Sequence, residues 1–577
     1  MPLIELKIPP GIRQTGTDLQ SEGRWRDGNL VRWRDGALSP VGGWTSRGIT
    51  WGSTPRGMLT WEDNTNNRWI AFGTYNNLVV YTSGGTSYNI TPTGFTSGNE
   101  FSALSSGYGA GYYDQGLYGT TRSSAGSYSE ATTWSLDTWG QYLVACSVDD
   151  GKLYEWQLNT ASDAAAITNS PTDCLGLVVT EERFLFALGA GGDTRKIAWC
   201  DFEDNTTWAA ASTNQAGDHT LQTQGRIMAG IRAQGQTLIV TDLDAHRAIY
   251  TGPPFIYQFE RVGEGCGLVS RKAIASTPAG VFWMGQHGFF RYDGASVSPI
   301  PCEVTDAVFG DLNRDRISHS WAVSNSQFNE VWFFYPSDGA SDVDRYVIYN
   351  YVENHWSLGS LERTTGVDRG VFRNPIWLKD GSGYNHEVGN NYATNNFPYV
   401  ESGPFKIGAG DNTAHITKII PDEDNLGSVR VWAKTRFYPT SAESTHGPFT
   451  VRQPTDARIQ GRQIRLRLEA ANYVLNSTAV SDLLNATTGY FDQLVDGRKL
   501  GDIDNDGDAD ALDAAILLAY VSNPTGVTDT YRAYIEGVII PTIMADEDAF
   551  ALYMDGTPTG DFRIGNFRVE VQAGGKR

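Results

Sequence analysis

A short hairpin unit that recurs along most of the chain sets the tightest limit on what it can fold into. One complete copy lies between Pro278 and Pro301. There Val281-Phe282-Trp283-Met284 is an apolar and aromatic run, Gly285-Gln286-His287-Gly288 is a turn, and Phe289-Phe290-Arg291-Tyr292 is the return run, stopped by Asp293-Gly294. Two β-prone runs around a Gly-bearing turn predict a β-hairpin. His287 falls in that turn and reads as structural.

The unit recurs five more times. The pairs are Arg68 to Phe72 with Leu78 to Tyr81, Tyr142 to Ala145 with Leu153 to Trp156, and Phe184 to Phe186 with Ile197 to Trp199. They continue with Thr237 to Val240 and Ala248 to Tyr250, then Val331 to Phe334 with Tyr346 to Tyr349. The anchors Tyr142, Phe184, Leu238, Phe282 and Trp332 are spaced by 42, 54, 44 and 50 residues, close to the roughly 40–50 of a propeller blade. The 64 Gly, 27 Tyr, 24 Phe and 17 Trp fit strands and tight turns rather than helices. The expected fold is therefore mainly β, a six-bladed β-propeller over residues 51–395.

A propeller ring must close on itself, because radial repetition leaves only short protected edges when a strand from one end completes the blade at the other. Residues 1–50 supply a candidate in GRWRDGNLVRWRDGALSPVGGW at 23–44, where Asn29 to Trp33 alternates like a strand and Asp35-Gly36 turns it back. Its expected partner is Val371 to Leu378. Arginines among tryptophans here can stack on nucleic-acid bases, but cation–π packing on a strand is the simpler reading. The longer gap from Trp69 to Tyr142 holds a Gly, Ser and Tyr-rich segment, 82–131, expected to be a surface excursion.

Beyond about 400 the pattern becomes alternating strands with acidic or Gly turns, as in GSVRVWAKTRFYPT and GRQIRLRLEA, and it returns in FRIGNFRVEV. This predicts an antiparallel β-sandwich domain from 396–478 and 558–577. An acidic insert at 479–557 interrupts it. Between 480 and 556 it carries fifteen Asp and Glu against three Lys and Arg, more than half of the net charge of −21.

Within the insert, Asp502-Ile503-Asp504-Asn505-Asp506-Gly507-Asp508-Ala509-Asp510-Ala511-Leu512-Asp513 follows the calcium-loop template, with Asp in place of Glu at the last position. Calcium takes six to eight oxygens. Asp502, Asp504, Asp506 and Asp513 are expected to bind directly, Asp508 through its carbonyl and Asp510 through a water. Gly507 permits the sharp turn, and a helical run from Ala511 to Tyr520 follows. The pattern resembles one half of a dockerin module, without a second hand. A structural Ca2+ is the expected cofactor, needed to fold so many carboxylates together.

The rest of the sequence mainly excludes. Five scattered cysteines with no CxxC pair suggest neither a zinc site nor a disulfide framework. The start, MPLIELKIPPGI, lacks a basic region followed by an apolar core, and no run reaches the ~18 apolar residues of a membrane span. No GxxxxGK[ST], HExxH or GxSxG motif occurs, and no two histidines are spaced as a metal pair. These absences lead to the expectation of no enzymatic activity and no membrane insertion. The acidic balance argues against tight wrapping of DNA but permits transient contact.

Taken together, GRWRDGNLVRWRDGALSPVGGW, GVFWMGQHGFFRYDGASVSPI, NYVENHWSLG, GPFKIGAGD, VWAKTRFYP and FRIGNFRVEV resemble the tail nozzle, or tail hub, proteins of short-tailed bacteriophages, the group that includes the P22-like packaged-DNA stabilisation proteins. The resemblance covers about 1–475 and 560–577. It implies a structural virion protein made in the host cytoplasm, a homo-hexameric ring below the portal-adaptor ring. Such a ring retains and then conducts the double-stranded genome and anchors tail fibre, needle or plug proteins. The calcium-loop insert departs from the plainer family pattern. Two other readings stand beside it, a carbohydrate-binding or carbohydrate-active propeller and a receptor-binding tail protein.

Overall fold

The computed structural model describes residues 3–102, 129–379, 381–393, 396–405, 413–420, 429–450, 454–485, 488–524, 527–544, 549, 552–558, 562–565 and 567–573. The chain divides into two compact units, one of Gly11–Thr17 and Gly42–Gly389, the other of Met1–Pro10, Asp18–Val41 and Asn390–Arg577.

Among the described residues the first unit is a β-propeller of seven four-stranded antiparallel sheets. Their first strands are Met58–Glu62, Trp134–Trp139, Gly176–Val179, Ile227–Ala233, Ile274–Thr277, Trp321–Asn325 and Thr365–Val367. Each touches the first strand of the next sheet, and the seventh touches the first, so the ring is closed. The hairpin at Pro278–Pro301 forms as expected, with Val281 opposite Tyr292 and Met284 opposite Phe289, and Val297–Ile300 adds the outer strand of blade 5.

The expectation of six blades is corrected to seven. The missing blade is built from Thr365–Val367, Ile376–Lys379 and Ser382–His386, with Trp44–Ser46 as its fourth strand. Three of these strands are short and one comes from the other end of the chain, so no single stretch displays the repeat. The closing strand is likewise corrected. The strand that includes Asn29, Trp25–Asn29, pairs with Tyr399–Ser402 in the second unit, and Trp44–Ser46 closes the ring. The 82–131 excursion begins later than expected, since Ser87–Asn89 is the outer strand of blade 1; residues 103–128 lie outside the described residues.

Aromatic side chains fill the spaces between blades. Trp377, 1% exposed, packs edge-on to Trp332 at 5.0 Å and Phe334 at 5.5 Å, and stacks on His386 at 4.1 Å. Gly73 is glycine because a Cβ there would lie 2.2 Å from the Trp134 ring.

Among its described residues the second unit has two larger antiparallel sheets. One runs Trp25–Asn29, Tyr399–Ser402, Gln463–Glu469, Arg430–Arg436, Ser444–Thr450; the other runs Leu3–Leu6, Phe567–Ala573, Ala414–Ile420, Thr455–Gly461. Alternating burial along Thr455–Gly461 and Gln463–Glu469 gives each strand one face toward the core, as a sandwich requires. The insert leaves and returns through a two-stranded stem, Ala471–Leu475 with Met554–Pro558. It has a core of its own, including Leu483, Phe491, Leu500, Leu517, Ile535 and Ile539.

Replacing Trp377 by Ala removes the ring shared by blades 6 and 7 and is expected to cost about 3–5 kcal/mol, read as a lower denaturant midpoint of the propeller.

Candidate metal centre and the charged face of the propeller

The acidic loop follows a small hairpin, Leu494–Val495 with Arg498–Lys499, and runs into the helix Ala511–Ser522. Gly507 adopts φ +106° with open space where a Cβ would stand, and Asn505 sits at φ +67°. These left-handed positions reverse the chain so that Asp502, Asp504 and Asp506 each bring a carboxylate oxygen to within 4.8 Å of the other two. Amides stiffen the turn: Asp506 N–H donates to Asp502 at 3.1 Å and to Asp504 at 3.2 Å, and Asp508 N–H to Asp506 at 3.0 Å.

The other three expected ligands are placed differently. Asp513, 1% exposed, accepts Ile503 N–H at 2.7 Å and Asp504 N–H at 3.0 Å on one oxygen, and Asp510 N–H at 3.0 Å on the other. Burial pushes its carboxyl up, against the pull of these amides. Asp510 caps the helix by accepting Leu512 N–H at 2.7 Å, completing a capping box with Asp513. The Asp508 side chain is 81% exposed and lies 3.3 Å from Lys499, outside the group formed by Asp502, Asp504 and Asp506. Arg498 donates to the Asp502 carbonyl at 2.6 Å and lies 3.8 Å over the Tyr534 ring. Three hard carboxylates this close suit a divalent cation of the calcium or magnesium type.

The propeller carries a second concentration of charge where the chain enters its first strands. Arg56 donates to Asp342 at 3.2 and 2.8 Å, and His319 Nδ1 lies 3.0 Å from the same carboxylate. On its other side, His319 Nε2 accepts Ser102 N–H at 3.0 Å, with Ser102 Oγ at 3.2 Å. Sequence reading missed this serine, histidine and aspartate arrangement, because its members are 217 and 23 residues apart. It is not a nucleophile: Ser102 is fully buried, its hydroxyl donates to the Asp315 carbonyl at 2.8 Å, and its amide fills the Nε2 lone pair. Burial would raise the Asp342 carboxyl, but the Arg56 guanidinium and His319 hold it well below the usual range. Burial lowers His319, and more strongly His386, while His355 is pushed down to about 4.

On the faces of blades 4 and 5 two adjoining cavities of about 460 and 430 Å³ share Leu243 and Gly265. The first is lined by amide, hydroxyl and charged groups, among them Gln222, Thr223, Gln224 and Arg261. The second is largely apolar, with Phe289, Phe290, Pro299 and Ile300 beside His287.

No family model matches the chain, and no curated protein matches it. Solved structures do. Virginiamycin B lyase from Staphylococcus aureus is similar over 58% of this chain and 94% of its own, at 8% identity and a TM-score of 0.36. The WD40 domain of Neurospora crassa Pan2 covers 62% of this chain and 97% of its own, at 7% identity and a TM-score of 0.34. A fungal alcohol oxidase in complex with copper covers 74% and 92%, at 11% identity and a TM-score of 0.36. The likeness is one of fold. The expectation of no enzymatic activity is withdrawn, since it rested on absent motifs alone; a lyase and an oxidase stand among the matched structures. No described helix is long and apolar enough to cross a membrane.

Two outcomes test this chemistry. Asp513→Ala removes an acceptor for three amides and half of a capping box, and is expected to destabilise the insert by about 1–3 kcal/mol, whereas Asp508→Ala is near neutral; thermal unfolding of both variants checks this. Histidines depressed by burial stabilise the fold above their unfolded value of about 6.5, and that stability is lost as pH falls toward 4. Denaturant midpoints should therefore drop between pH 6.5 and 4, and His355→Gln should flatten the drop by up to about 3 kcal/mol.

Proposed function

We propose that the chain is a propeller-based component of a short-tailed phage tail, occupying the nozzle at the end of the DNA channel. The observation that carries this reading is the motif at 23–44 and its continuation to Ser46. These residues, part of the resemblance to nozzle proteins, supply Trp25–Asn29 to the five-stranded sheet and Trp44–Ser46 to the seventh blade. One motif thus serves both halves of the architecture that the resemblance implies. In this reading six copies form a ring below the portal-adaptor. Fibre, needle or plug proteins attach to it, and the acidic surface lets double-stranded DNA slide without sticking.

A second reading, a carbohydrate-binding or carbohydrate-active propeller, is favoured by a specific observation: the paired polar and apolar cavities on blades 4 and 5 offer hydrogen-bonding groups beside an apolar wall. The propeller fold itself fits this reading at least as directly. Electron microscopy of virions and of purified protein separates the two. A six-fold ring on the particle axis supports the nozzle, and a monomer that binds or turns over glycans refutes it.

The loop at Asp502–Asp513 is read as a structural calcium site. The convergence of Asp502, Asp504 and Asp506 supports this, as does the local excess of carboxylates, which a divalent ion offsets. Calcium is expected to protect residues 480–556 from proteolysis and EDTA to expose them, with the propeller unaffected. Equal cleavage with and without EDTA would exclude a structural role for the ion.

A further inference from the structure

We propose that the two adjoining cavities on blades 4 and 5 act as one groove that binds an uncharged glycan across Leu243. This deepens the carbohydrate-binding reading and rests on it. The lining turns come from one end of the antiparallel blades. Asp242-Leu243 joins the second and third strands of blade 4, and Gln286-His287-Gly288 lies in the corresponding turn of blade 5. Gln222 to Gln224 and Gly265 to Gly267 belong to the connections from one blade to the next. In an antiparallel blade these turns and connections open on the same face of the ring.

The wall that the cavities share is firmly held. Leu243 N–H donates to Thr241 Oγ1 at 3.0 Å, and the Leu243 carbonyl accepts Cys266 N–H at 3.2 Å. The Cys266 carbonyl in turn accepts the Trp283 indole N–H at 2.7 Å. A Cβ on Gly267 would stand 1.9 Å from the Asp242 carbonyl oxygen, so the two segments touch through their backbones. On this fixed turn Leu243 still keeps 49% of its surface exposed, where the cavities meet. In the apolar cavity the Phe290 ring is stacked on Trp283 at 5.9 Å and lies against Gly285, where a Cβ would come within 2.5 Å of it. A fixed leucine and a fixed aromatic ring form a seat for the C–H face of a sugar that costs little ordering on binding.

Charge selects among sugars. The lining holds three carboxylates, Asp242, Asp244 and Glu264, and one guanidinium, Arg261. All four are engaged. Asp242 accepts Arg226 N–H at 2.9 Å, Asp244 accepts the hydroxyls of Thr223 at 3.0 Å and Thr241 at 2.6 Å, and Glu264 pairs with Arg261. The side chains of Gln224, Gln286 and His287, by contrast, make no hydrogen bond among the described residues. Amide and imidazole groups that can both donate and accept are therefore what the groove presents, and they match hydroxyls. A carboxylated, sulfated or phosphorylated glycan meets an excess of carboxylates, with no unpaired cation in the lining, on a chain of net charge −21.

A glycan array bearing neutral, sialylated and uronate-containing oligosaccharides, probed with the full-length protein, tests this, followed by isothermal titration with the best binder. The expected result is binding confined to neutral glycans and weakened at least about tenfold in Leu243→Asp, but not in Leu494→Asp on the exposed surface of the insert. Binding that favours acidic glycans, or equal affinity in Leu243→Asp and the wild type, overturns the groove and leaves the carbohydrate-binding reading standing. Binding to no glycan removes both. Should Leu243→Asp fail to fold, Gln224→Ala and Gln286→Ala, both at exposed positions, are each expected to weaken binding about threefold, and unchanged affinity in both overturns the site.

Discussion

The pairing of Trp44–Ser46 with Ser382–His386 is the contact on which the propeller depends. A blade of three strands leaves an edge of unpaired amides and carbonyls, and a ring with one open edge loses the mutual support that holds every blade at its angle. The surroundings of this strand show how firmly it is held. Arg47 donates to Asn385 at 2.7 Å, Gly42 N–H donates to Glu387 at 3.0 Å, and Glu387 in turn accepts Asn325 of blade 6 at 2.8 Å. Arg363, 3% exposed, lies over the rings of Trp44 and Tyr384 and donates to His386 Nε2 at 2.9 Å. That bond requires a neutral His386, which burial and the Arg363 charge both favour.

Buried and half-buried charge in this propeller is organised by the same ring. Arg56, Glu130, Arg226, Arg271 and His319 all lie where the chain enters a first strand, and most find a partner on another blade or loop. Such pairs are costly to desolvate, and removing one member is more damaging than the pair is stabilising. They fix neighbouring blades in register.

The insert follows a different logic. It has an apolar core of its own, and the acidic loop is wrapped by its own amides onto Asp502 and Asp513, both almost fully buried. Backbone N–H groups therefore carry part of the charge compensation, and the convergent oxygens of Asp502, Asp504 and Asp506 remain available to a cation.

Local patterns made much of this legible in sequence. Alternating aromatic runs around Gly turns identify hairpins such as Val281 to Tyr292, because a strand's period and a turn's conformational demand are properties of neighbouring residues. The spacing of Asp502, Asp504, Asp506 and Gly507 likewise exposes the loop. The seventh blade was hidden because its outer strand, Trp44–Ser46, is more than three hundred residues from its partner. For the same reason Asn29 looked like a closing strand, although it and its partner Tyr399 both belong to the second unit. The contacts of Ser102 with His319 and of Arg271 with Glu130 carry no periodic signal at all. Sequence by itself determined the strands, their turns and the acidic loop; tertiary structure alone decided which edges pair and which charges meet, because ring closure joins residues that no local pattern connects.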